Sequence, residues 1–367
     1  MTFQAPDVEL AYITRGEGTD PVAAPVESRH RGIAVVLSPD GEIALELGSV
    51  HEPVYMRSAL KPLQTIGALK AGAPLRGAQV AIACASHRGT FEQMRAVQDV
   101  LAEAGTDASA LQCPAVYPDD STARTAMITQ NLAKTPLAYA CSGKHAAFLW
   151  ACAAKLERGE LEPGSELWTM ESYLDPSHPL QQMIAEEIEE FTGEKIAYSG
   201  IDGCGAPVHA ISPVGLARAY STLGSAIRNL GADARASTVA TAMVDYPELI
   251  QGPNHPDTVL SEELDAVVKY GAEGIVAMGL RSGASVVVKI SDGSHRAAYM
   301  VALRALQAAG FLDESLVDQL LARVLRPVTG GLEDVPSQTA RCVGAIIPAP
   351  ALQAALDGSV TDSVREA

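Results

Sequence analysis

Positive charge is in short supply: 27 lysines and arginines stand against 44 aspartates and glutamates, a formal net charge of −17. Phosphate binding needs a basic surface, so this balance excludes a general nucleic-acid binder. Long apolar runs are lacking as well. The longest, Ala146 to Ala154, falls well short of the ~20 residues that span a bilayer. The N-terminus has no basic segment followed by an apolar stretch, so neither a secretory signal nor a membrane partner is expected, and the default is a soluble cytoplasmic protein. The six cysteines, at 84, 113, 141, 152, 204 and 342, are too few and too scattered for a disulfide scaffold and read as core thiols, with some as candidate ligands. Aromatics make up only 5%, but hydrophobics at 47% and charged residues at 19% match ordinary globular chains, which excludes disorder over most of the length. There is no internal repeat, no low-complexity tract and no Gly/Ser/Pro linker. One domain over residues 1–367 is therefore expected, ordered from about 8 to 350 and frayed at both ends.

What is present begins with strands: Val8 to Thr14, Gly32 to Leu37, then Glu42 to Leu47 after the turn Ser38-Pro39-Asp40-Gly41. From Ser58, leucines and an isoleucine recur at helical spacing as far as Gly72. A short apolar strand is predicted from Gln79 to Ala85. Helices are predicted at Glu92–Ala104, Ser121–Leu132, Lys144–Glu157, Leu180–Phe191, Pro213–Asn229 and Ala234–Asp245. Strands return at Ala266–Lys269, Gly274–Gly279 and Ser285–Ile290, followed by a helix from Arg296 to Ala309. Strands at both ends with helices between them predict an α+β fold whose termini complete one antiparallel sheet.

Arg57-Ser58-Ala59-Leu60-Lys61 contains an S-x-x-K at the predicted start of a helix. A spacing of three puts hydroxyl and amine on one helix face, and a partly buried Lys61 would lose basicity and serve Ser58 as a general base. Pro62 suits this only if the helix begins near Ser58. The plain alternative is a capping serine with a solvated lysine.

Ser86-His87-Arg88-Gly89-Thr90 follows the apolar segment and reads either as a site loop or as a cap for the helix from Glu92. Cys141-x3-His145 and Cys204-x4-His209 form a loose thiolate and imidazole set that suits zinc, against a plain reading as core thiols and a capping histidine. His51, His178, His255 and His295 show no such grouping and read as surface or loop residues. Lys269 at a strand end reads as an edge charge and Glu273 as a turn residue.

In order along the chain, Arg57 to Gln64, Ala85-Ser86-His87, Asn131 to Leu137 with Cys141-Ser142-Gly143-Lys144-His145, Ser199 to Pro207, Lys269 with Gly271-Ala272-Glu273-Gly274, and Lys289 to Arg296 together resemble the L-asparaginase II family, the rhizobial-type thermolabile asparaginases. The resemblance runs from about Val8 to Pro350. It implies a serine β-lactamase/glutaminase-like fold, an antiparallel sheet flanked by helices. It also implies a homodimeric L-asparagine amidohydrolase with Ser58 as nucleophile, Lys61 as its base, and Ser86 with Lys269 as a second Ser-Lys pair. A zinc site carries over to Cys141, Lys144 and Cys204, with water as fourth ligand, whereas the spacing reading would have taken His145. Arg57, His145 and Asp202 are candidates to hold substrate. Arg88 and Thr90 stand where the family more often has a small residue and an acid, which makes the choice between asparagine and glutamine less secure. The competing readings are a glutaminase or Ser-Lys amidase or peptidase of the same fold, and a zinc-stabilised binding protein without turnover.

Overall fold

Alternation in the longest strand explains the layering. Along β2 (Val26–Leu37), Ile33, Val35 and Leu37 enter one core while Ala34 and Val36 enter another. Both faces of the strand are therefore covered, as the unbroken apolar run requires. A computed structural model describes residues 7–16, 23–158, 168–330 and 341–358. Residues 1–6 and 359–367, most of the ends expected to fray, lie outside the described residues.

The principal sheet joins the two ends of the chain. β1 (Val8–Thr14) lies between β2 and β12 (Ile346–Pro348), and β3 (Ile43–Leu47) pairs with β2 beyond β1. On the other edge of β2 follow β9 (Ser285–Ile290), β8 (Ile275–Gly279) and β7 (Val267–Gly271), every pairing antiparallel. This is the α+β sheet that the order of elements predicts. The β2–β3 turn closes at Ser38 and Glu42, with Gly41 in the left-handed region at φ 83°. A small sheet sets β4 (Val54–Tyr55) and β5 (Tyr198–Ile201) on either side of β6 (Pro207–Ile211), and β10 (Val328–Gly330) pairs with β11 (Arg341–Gly344).

Helices cover both faces. On the site side lie α1 (Lys61–Lys70), α2 (Ala78–Cys84), α3 (Phe91–Glu103), α4 (Ser121–Thr129), α5 (Ser142–Arg158), α6 (Pro179–Thr192), α7 (Pro213–Ser225), α8 (Ala234–Asp245) and α9 (Pro247–Ile250). The other face carries α10 (Pro256–Leu264), α11 (Ala298–Ala308), α12 (Glu314–Val324) and α13 (Pro350–Leu356). Among the described residues no helix is long and apolar enough to cross a membrane.

Two expectations need correction. Gln79 to Ala85 belongs to a helix, α2, not a strand. A short run of small apolar residues buried on all sides has no exposed face to reveal its period, and α2 packs against α1, α3, α5, α8 and α9. His178 is buried rather than superficial: its Nδ1 accepts the Leu180 N–H at 3.1 Å and caps α6.

Candidate active site

Ser58 lies in a single 3-10 turn, Arg57–Leu60, whose last residue leads into α1 at Lys61. Pro62 falls in the first turn of α1, where its missing N–H costs nothing. Gly271 of β7 lies against this turn so closely that a Cβ would stand 2.8 Å from the Met56 carbonyl oxygen and 3.3 Å from the Ser58 nitrogen.

The ammonium of Lys61 is 1% exposed and donates to the Ala85 carbonyl, to Ser86 Oγ at 3.0 Å and to the Ala140 carbonyl at 3.1 Å. From the sheet, Lys269 Nζ donates to the same Ser86 Oγ at 2.8 Å. Lys269 is the middle residue of β7 rather than its end, and it shares the inward face with Val267. It is therefore no edge charge. Burial lowers its pKa to about 7, the neighbouring Asp257 carboxylate opposing that effect and the Lys61 charge adding to it. Two lysines thus share one serine hydroxyl. Ser58 Oγ is half-buried and has no side-chain hydrogen bond among the described residues.

Each reading of the Ser86 loop holds for a different residue. Thr90 forms a capping box with Gln93 at the start of α3, while Ser86, four residues earlier, sits between the lysines. Arg88 turns outward, its guanidinium donating to the Asp119 carbonyl at 3.0 Å.

Cys141 and Cys204 lie within hydrogen-bond reach of each other, and Lys144 Nζ lies beside Cys204 and 3.5 Å from Gln64 Oε1. The bond from Cys204 holds the Cys141 thiol well below its ordinary value, with help from Lys61 and Lys144. Lys144 is buried, yet the two sulfurs outweigh that burial and keep its ammonium form favoured. Lys144, not His145, thus turns toward Cys204. The His145 ring faces away, Nδ1 2.7 Å from Tyr173 Oη and Nε2 buried without a partner, and His209 bonds to Ser199.

Arg57 donates twice to Asp202 Oδ1, at 3.2 and 2.9 Å, and lies 3.9 Å from Glu273. These bonds hold Arg57 at φ 49°, a left-handed conformation that a non-glycine residue adopts only where its surroundings impose it.

The model of the L-asparaginase II family matches residues 23–339 of the chain. The protein belongs to the L-asparaginase II family. As a member it is an amide hydrolase. A β-lactamase from Mycobacterium bovis of known structure is similar at 14% identity and a TM-score of 0.36 over 79% of this chain and 94% of that one, a likeness too loose to bear on chemistry. No curated protein matches the chain.

For this L-asparaginase II chain the zinc expectation can be tested against its own donors. Two sulfurs and one amine converge in a buried cluster, and thiolates with an amine that gives up its proton on binding are donors that suit zinc. Groups of three or more His, Cys, Asp or Glu side chains that could hold a metal ion are absent among the described residues.

Sequence reasoning missed Asp257 and Tyr270. Tyr270 Oη donates to the Ser86 carbonyl at 3.4 Å and its ring lies 4.3 Å from Lys269 Nζ. Lys269-Tyr270-Gly271 has the K-x-G form of the strand lysine that accompanies S-x-x-K in penicillin-recognising enzymes, a signal available in the chain. Asp257 gave none, because an acid in the first turn of a helix is ordinarily a solvated dipole partner.

Proposed function

We propose that this protein is an L-asparagine amidohydrolase that works through a serine acyl-enzyme. The observation that carries the reading is the Ser86 hydroxyl held by both Lys269 and Lys61, the latter one turn of chain after Ser58. Ser58 is the nucleophile: its hydroxyl is the accessible one and has no partner, whereas Ser86 is 3% exposed and saturated by two lysines. A proton leaving Ser58 passes by way of Lys61 and Ser86 to Lys269, whose amine is half neutral near pH 7. Ser58 Oγ bonds to the carboxamide carbon, the C–N bond breaks, and the proton returns to the departing nitrogen, giving ammonia and a β-aspartyl ester. Water then cleaves the ester and releases aspartate and the free serine. Arg57 is oriented to meet the substrate carboxylate and Asp202 its amino group. His145 serves the substrate side by fixing the N-terminus of α5 through Tyr173.

Cys141, Lys144 and Cys204 would hold zinc, which when bound supplies a fixed positive charge beside the site. A homodimer, which the resemblance implies, and a cytoplasmic location belong to the same proposal, and light scattering on the purified protein measures the first.

A second reading makes Ser86 itself the nucleophile, favoured by its two direct lysine bonds. Ammonia release from L-asparagine, L-glutamine and a chromogenic β-lactam, compared for wild type, Ser58→Ala and Ser86→Ala with zinc quantified, separates the possibilities. Asparagine turnover lost in Ser58→Ala, with the wild-type acyl adduct mapped to Ser58, is the expected result. An adduct on Ser86 transfers the role. Preference for glutamine or the β-lactam changes the substrate, and no turnover by wild type leaves the zinc-stabilised binding protein.

A further inference from the structure

Beside Lys269 lies a carboxylate that no sequence pattern announced. Asp257 is 1% exposed, and its Oδ2 stands 3.8 Å from Lys269 Nζ, whose side chain is wholly buried. The residue is held by three hydrogen bonds, two of them to its carboxylate. Tyr270 N–H donates to Oδ2 at 2.9 Å, Tyr299 Oη donates to Oδ1 at 2.8 Å, and the Asp257 N–H is fixed by Gln251 Oε1 at 2.8 Å. The carboxylate partners come from β7 and α11, so it cannot swing without breaking its bonds to both, while the segment before α10 fixes its backbone. The Lys269 amine meanwhile has two other acceptors, Ser86 Oγ and the Tyr270 carbonyl, each at 2.8 Å.

We propose that Asp257 is a positioning residue for the reaction: its anchored carboxylate holds Lys269 Nζ against Ser86 and keeps enough ammonium character there for the amine to shuttle a proton at neutral pH. This rests on the amidohydrolase reading above. A lysine buried without a counter-charge is neutral at neutral pH, and one buried in a full contact ion pair holds its proton too tightly to serve as a base. A carboxylate at 3.8 Å, tied up by two other donors, lies between these cases. The other groups facing Lys269 are Lys61 from α1, Cys84 from α2, Cys141 ahead of α5, Tyr270 on β7 and His295 ahead of α11. Among them the Lys61 charge opposes the Lys269 ammonium, and Asp257 offsets it.

The test follows the lysine directly. Protein labelled with ¹³C at the lysine ε-carbon is titrated by NMR, the Lys269 signal being assigned from its absence in Lys269→Met, alongside the pH profile of kcat/KM for asparagine. In Asp257→Asn the Lys269 midpoint and the acid limb of the profile are expected to move together to lower pH by about 1–3 units. A midpoint unchanged in a folded Asp257→Asn overturns the proposal. Should wild type turn over no amide, the functional reading fails while the NMR midpoint still decides the pairing. Tyr299→Phe leaves the carboxylate charge in place, so its midpoint is expected near that of wild type; a shift as large as that of Asp257→Asn would assign the effect to packing and overturn the proposal. Should Asp257→Asn not fold, Lys269→Met is compared with the Lys269→Met, Asp257→Asn double variant by thermal unfolding. The double variant, which has neither of the two charges, is expected to melt higher, and equal melting temperatures overturn the pairing.

Discussion

His87 Nε2 lies 2.8 Å from Ser142 Oγ, so the loop that carries Ser86 is tied directly to the first residue of α5, the helix that carries Lys144. Ser142 donates onward to the Leu137 carbonyl at 2.9 Å, and Gly89 N–H donates to His87 Nδ1 at 3.1 Å. The ring is therefore neutral, with its proton on Nε2. One bond thus links the Ser-Lys cluster to the thiol cluster.

Acid should expose this bond. Burial pushes His87 down to about 3, with the Lys61 charge helping, from an unfolded value near 6.5. The unfolded chain binds the extra proton between those values, so the stability contributed is complete above pH 6.5 and is lost as pH falls toward 3. Urea midpoints at pH 7 and pH 5 are expected to differ less in His87→Gln than in wild type. An equal difference would mean that His87 does not carry the effect.

Gly143 sits where α5 crosses α2. A Cβ there would stand 1.9 Å from the Ile82 carbonyl oxygen, a backbone atom that cannot yield. Gly143→Ala is expected to cost on the order of 3 kcal/mol or more, since the two helices must part. Differential scanning calorimetry measures that loss. Because Lys144 is the next residue, zinc content should fall in the same variant.

Removing either lysine amine takes away a partner of Ser86. Lys61→Met and Lys269→Met are each expected to lower kcat/KM by ~10²–10⁴-fold, the usual range for a lost general base. With Lys269 at about 7, wild-type kcat/KM should climb with pH through neutrality, because the neutral amine is the working form. A profile flat from pH 6 to 8 would remove Lys269 from the base role.

Arg57 and Asp202 form a part-buried pair at the edge of the cluster, so removing one partner should cost stability as well. Arg57→Ala is expected to raise KM for asparagine by roughly tenfold or more, the loss of a charge-assisted hydrogen bond, with a smaller change in kcat. Steady-state kinetics with thermal melting as control check both halves.

Cys204→Ser should lower the zinc bound per chain, measured by inductively coupled plasma mass spectrometry after dialysis, by ~10-fold or more at limiting metal, because a hydroxyl is a far poorer zinc ligand than a thiolate. Full zinc in a folded Cys204→Ser would dismiss Cys204 as a ligand.

Much of this protein is written locally. The short apolar runs of β2, β8 and β9, the Thr90–Gln93 capping box and the prolines that open α1, α6 and α7 are relations between residues a few positions apart, and a chain that obeys them declares itself in sequence. The Ser58–Lys61 spacing belongs with these. Tertiary structure alone decided the rest. It made α2 a helix, because only the surrounding helices bury all its sides. It brought Lys269 to Ser86 across 183 residues and placed Asp257 behind it. It also chose between Lys144 and His145: neighbours on a helix point about 100° apart, and which of them reaches Cys204 depends on where a loop some sixty residues later comes to rest.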